Sequence, residues 1–151
     1  MASSEKKSND TRRQNRLVAV QFLYMWDINP GQSVEHAIIQ FFKLEDLDRK
    51  SFSFAESLIT GTLEHLADID PIIQKNSENW VFSRIAKVDL AILRLAIYEL
   101  LFRKDIPPIV SINEAIDIAK ALSGPDSKRF INGILDKVKD SLDRPLRTAE
   151  E

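Results

Sequence analysis

The chain has 151 residues, 44% of them hydrophobic and 29% charged, with a net charge of −2 and no cysteine. This composition suits one globular core and excludes disulfides, iron–sulfur clusters, thiol nucleophiles and cysteine zinc sites. A net negative chain is no general polyanion binder, so any nucleic-acid site must be a local patch.

The first element is "TRRQNRLVAVQFLYMW", Thr11 to Trp26. Thr11 with Gln14 reads as a capping box, which puts Arg12 and Arg13 in a first turn whose dipole disfavours cations. The first sixteen residues hold Lys6, Lys7, Arg12, Arg13 and Arg16 against Glu5 and Asp10, a local charge of +3 within a net negative chain. On a helix, Arg13, Arg16, Val20, Tyr24 and Asp27 share one stripe. Guanidinium groups beside an aromatic suit the phosphates and bases of a single strand. A solvated basic tail is the other reading of this segment.

"NPG" at 29–31 breaks the chain, and Ser33 caps a helix carrying Val34, Ala37, Ile38, Phe41 and Phe42. A third helical pattern runs through Ala55, Leu58, Ile59, Thr62 and Leu66. Asp70-Pro71 reads as the cap and first turn of a fourth helix toward Trp80. Val88 to Phe102 is apolar on nearly every side and predicts a central buried helix in which Arg94 and Glu99 need partners. "DIPP" ends it, Ser111 with Glu114 suggests another capping box, and "SGPD" offers Asp126 as the cap of a last helix. That helix carries Phe130, Ile131, Ile134, Leu135 and Val138, and Gly133 predicts a close helix–helix approach. The expectation is an all-α domain over 10–143, with a disordered basic arm at 1–9 and a disordered tail at 144–151.

Lys128 and Arg129 again place cations at a helix start, beside Phe130, which is either a base platform or the first core residue of its stripe. Glu64, His65 and Asp68 lack a second histidine to complete a metal site, so a surface cluster is expected. The carboxylates sit at caps and links, and the serines, Ser3 and Ser4 included, lack a nucleophile elbow. The four glycines are too far apart for a phosphate loop. Trp26 and Trp80 read as packing residues. No catalytic site, cofactor, signal peptide or membrane span is indicated, and a soluble cytoplasmic protein is the simplest expectation.

Taken together, "RRQNRLVAVQFLYMWD", "KVDLAILRLAIYELLFRKDIPPIVSINEAIDIAK" and "DSKRFINGILDKV" resemble the NusB family of bacterial transcription antitermination factors. The resemblance implies about seven helices in two packed halves and a non-enzymatic RNA-binding adapter. Its RNA would be boxA-type single-stranded RNA of ribosomal RNA leaders. Its partners would be a NusE-type ribosomal protein and the RNA polymerase elongation complex with other Nus factors. By the same resemblance the RNA surface is Arg12, Arg13, Arg16, Asp126, Ser127, Lys128, Arg129 and Phe130, while Tyr24 and Asp89 face the ribosomal protein. The chain departs from the family in having fewer N-terminal basic residues and Pro125 where many members carry an acid. The alternative is a helical interaction or homodimerising module that does not bind RNA. The N-terminal region of ribosomal RNA cytosine methyltransferases is also similar, but 151 residues leave no room for their catalytic domain.

Overall fold

The structure, a computed structural model, describes residues 2–77 and 81–150, with side chains from Thr11 onward. Among these residues it is all-α. The elements are α1 (Ala2–Ile28), α2 (Val34–Leu44), α3 (Ser53–Glu64), α4 (Leu66–Asn76), a 3-10 turn (Phe82–Arg84), α5 (Lys87–Phe102), α6 (Pro108–Leu122) and α7 (Pro125–Asp140). They fall into two compact units, divided between Gly61 and Thr62. The Trp80 reading lies outside the described residues, as do the side chains of the expected arm.

In the first unit, α1 runs from Ala2, so Thr11 is interior to a helix and not its cap. Phe22 of α1 meets Phe41 of α2 edge-on at 5.4 Å, a favoured aromatic geometry. Gly31 turns the chain with φ +112, and Ser33 Oγ accepts from the His36 N–H at 3.2 Å to cap α2 as expected. The start of α3 is capped from a distance. Asn15 is buried in α1, accepts from the Ala55 N–H at 2.8 Å and donates to the Thr11 carbonyl at 2.7 Å. One side chain therefore satisfies an orphan helix-start N–H and fixes α3 on α1.

The second unit is built around α5, in which every residue from Asp89 to Leu100 is buried. Helices α4, α6 and α7 pack against it. Arg94 meets Asp70 of α4 in a two-pronged pair at 2.9 Å each, and Ser111 Oγ of α6 donates to Glu99 Oε1 at 2.8 Å. Two expected caps therefore serve another purpose. Helix α4 already starts at Leu66, leaving Pro71 inside it and freeing Asp70 for Arg94. Helix α6 starts at Pro108, whose missing N–H costs nothing in a first turn, so Ser111 is interior and turns to the buried Glu99.

Two further expectations change. Helix α7 begins at Pro125 after Gly124, whose φ of +115 favours glycine, so Asp126 lies in the first turn and is not the cap. A Cβ added at Gly133 would meet nothing within 4 Å, so among the described residues no helix approaches closely there. At the far end, Arg144, in the stretch expected to be disordered, donates to the Leu100 and Ile106 carbonyls at 3.2 Å and to that of Glu99 at 3.3 Å. Ile109 N–H donates to the Leu146 carbonyl at 2.9 Å. The last carbonyls of a helix lack intrahelical donors, and a guanidinium supplies several at once.

The Arg94 side chain is 9% exposed and that of Asp70 is 29% exposed, so the two halves of the pair are not equivalent. Asp70→Asn removes the charge that faces a buried cation, whereas Arg94→Met leaves a carboxylate that water can reach. Urea unfolding should show Asp70→Asn losing about 3 kcal/mol and Arg94→Met losing less; the reverse order would contradict this account of the pair.

Candidate nucleic-acid interface

In the first unit the arginines separate by helical phase. Arg12 and Arg13 are exposed, while Arg16 is only 3% exposed. The guanidinium carbons of Arg12 and Arg16 lie 4.5 Å and 5.5 Å from the centre of the Phe54 ring, close enough for cation–π attraction. Arg16, expected on the RNA surface, is therefore a packing residue of α1 against α3. Val20 is buried with it, so the Arg13–Tyr24 stripe is not one continuous exposed face. Because α1 starts far upstream of Thr11, the arginines also have no free helix-start N–H groups beside them. What remains on the surface is Arg12 against an aromatic ring, Arg13, and Tyr24 at 38% exposure.

In the second unit, the starts of α5 and α7 and the 3-10 turn enclose a cavity of about 210 Å³. Its lining brings together Asp126, Ser127 and Phe130, all expected at the RNA surface, with Asp89, expected on the protein partner. Arg84 also lines it. Sequence reasoning passed over Arg84 because it stands outside every helical pattern; the one available signal was a cation beside the aromatic Phe82. Lys128 is half-buried and Arg129 exposed in the first turns of α7.

Asp89 is the most unusual group in this cavity. It is 6% exposed; Oδ2 accepts from Ser127 Oγ at 3.1 Å, and Oδ1 is buried without a hydrogen-bond partner among the described residues. Burial pushes its carboxyl above the usual range, against smaller opposing effects of the Ser127 and Ser123 hydroxyls. An acceptor placed so awaits a donor.

Elsewhere the His65 ring stacks on Phe102 at 3.8 Å and its Nδ1 lies 3.5 Å from Asp68, matching the expected surface cluster. Among the described residues no group of ligands could hold a metal ion, and no helix is long and apolar enough to cross a membrane.

The model of the NusB family matches residues 13–140. The chain belongs to the NusB family. It is 45% identical over 132 residues to the transcription antitermination protein NusB of Methylacidiphilum infernorum, covering 87% of this chain and 92% of that one. With NusB of Geobacter sulfurreducens it shares 46% over 131 residues, covering 87% and 95%. Among solved structures, T. maritima NusB superposes with a TM-score of 0.78 at 38% identity, over 88% of this chain and 93% of that one. A NusB chain solved with NusE and double-stranded RNA has the same fold, with a TM-score of 0.78 at 24% identity over 88% and 98% of the two chains.

Two variants separate structural from surface roles in this NusB-family chain. Arg16→Ala should lose about 2 kcal/mol in urea unfolding through lost packing, and unchanged stability would return Arg16 to the surface. For Asp89 the folded carboxyl titrates above its ordinary 3.8. The native state thus binds the extra proton between 3.8 and that higher value, and the ionised group opposes folding above it. Asp89→Asn should raise the Tm at pH 7, with the gain shrinking as the pH falls toward 3.8; a lower Tm at pH 7 would show that the charge is satisfied.

Proposed function

We propose that this protein is a non-catalytic RNA-binding adapter of transcription antitermination. In this reading it holds boxA-type single-stranded RNA of ribosomal RNA leaders and works in the cytoplasm with a NusE-type ribosomal protein on the RNA polymerase elongation complex. The observation that carries the reading is exposed Arg12 over the Phe54 ring, with exposed Arg13 next to it in the chain, a local cationic and aromatic surface on a chain of net charge −2. Guanidinium groups neutralise phosphates, and an aromatic neighbour provides a face for a base. Family membership supports it, since the named relatives are transcription antitermination proteins.

The second unit adds its own contacts in this reading: Lys128 and Arg129 for phosphates, with Ser127 and Phe130 beside them. Asp126 opposes phosphate and limits affinity there. Tyr24, an exposed phenol with one polar tip, is the contact for the ribosomal protein. The resemblance gives Asp89 to that same protein, but its enclosure with Ser127 and Phe130 favours the RNA side.

Fluorescence-anisotropy titration of a boxA-type RNA against a scrambled sequence, with and without the ribosomal protein and at several salt concentrations, tests the adapter. Selective binding that tightens with the partner is expected. Arg12→Ala and Arg13→Ala should each lower the log–log salt slope by roughly 0.7, whereas Arg16→Ala should leave it unchanged. Non-selective binding indifferent to the partner would instead favour a protein-interaction or homodimerising module.

A further inference from the structure

Phe54 stands in the first turn of α3 with two guanidinium carbons over one ring, that of Arg12 at 4.5 Å and that of Arg16 at 5.5 Å. Arg16 is buried, and Arg12, one turn earlier in α1, is exposed. Packing of the two helices accounts for Arg16. It does not account for Arg12, because like charges four residues apart on a helix lower its stability. The ring itself is fixed in register with the arginines. The residue after it, Ala55, donates its N–H to Asn15 Oδ1 at 2.8 Å, and Asn15 stands in α1 directly before Arg16.

We infer that Phe54 is a positioning residue of the RNA surface: its ring holds the Arg12 guanidinium in place and acts on RNA only through it. The manner of holding matters. Arg49, in the same unit, is gripped by Glu35 at 2.8 Å and Glu56 at 2.6 Å, and carboxylates neutralise the charge they hold. An aromatic face attracts a cation without neutralising it, so the positive charge of Arg12 is left for a phosphate. An arginine that can turn loses rotamer freedom when it grips a phosphate, and one already held over a ring has less to lose. A guanidinium plane also stacks on bases, so the face that Phe54 lends RNA is presented through Arg12. The inference rests on the RNA-binding reading and adds what holds one of its phosphate contacts.

The test uses the full chain and anisotropy titration of boxA-type RNA at several salt concentrations, with urea unfolding of every variant. Phe54→Leu keeps an apolar contact but has no aromatic face. It should weaken binding about fivefold while leaving the log–log salt slope unchanged, because the phosphate contact still forms. Phe54→Tyr should retain the affinity, and in an Arg12→Ala background Phe54→Leu should have no further effect on binding. A role confined to packing α3 on α1 predicts lower unfolding stability at unchanged affinity, and that result overturns the inference. An equal loss with and without Arg12 gives the ring its own contact with RNA and overturns it too. Arg12→Lys keeps the charge without the planar group, so it should lose affinity at an unchanged slope. If Phe54→Leu does not fold, full affinity in Arg12→Lys overturns the inference in its place. Absence of RNA binding by the unaltered protein overturns the adapter reading along with it.

Discussion

Burial of α5 on every side is the constraint from which the second unit follows. A helix enclosed all round cannot send its polar side chains to water, and Asp89, Arg94 and Glu99 lie within the buried run. Each is met by a different neighbour: Arg94 by Asp70 of α4, Glu99 by Ser111 of α6, Asp89 by Ser127 of α7. The three polar ties lie on three helices and specify which face of α5 each one covers. Apolar packing alone would tolerate several rotations of so uniformly hydrophobic a helix; these pairings oppose them. Two of the ties are complete. The third leaves one buried carboxylate oxygen without a donor among the described residues.

The central helix could be read in the sequence because a run apolar in every direction has few other homes, and its two charges announced a need for partners. Who the partners are could not be read. Asp70 before a proline and Ser111 three residues ahead of a glutamate are strong local cap signals, yet both are drawn to buried charges far away in the chain. A local rule loses when a buried charge would otherwise stay unsatisfied, since that costs more than a cap contributes. Gly133 failed for a different reason: glycine permits close packing without requiring it.

The candidate interface was legible by residue type and less so by orientation. The three arginines looked equivalent in sequence, but helical phase and the position of Phe54 on α3 turn Arg16 inward while Arg12 and Arg13 stay out. Periodicity had grouped Arg16 with Tyr24 because it fixes which residues share a face and not which face the neighbouring helix will cover. Asn15 shows the same limit. One polar side chain inside an apolar run gives no hint that it accepts from the start of α3, 40 residues later.

The Arg144 clamp bears on the order in which this chain can acquire its structure during synthesis. The Leu100 carbonyl at the end of α5 waits for a guanidinium that lies 44 residues downstream and that also reaches the Glu99 carbonyl, already bonded by the Arg103 N–H. While the ribosome extends the chain, α5 emerges and can coil, but its C-terminal end stays hydrated until Arg144 has cleared the exit tunnel. The contacts that close the second unit are thus among the last translated. The first unit, complete by Gly61, is free to fold well before them.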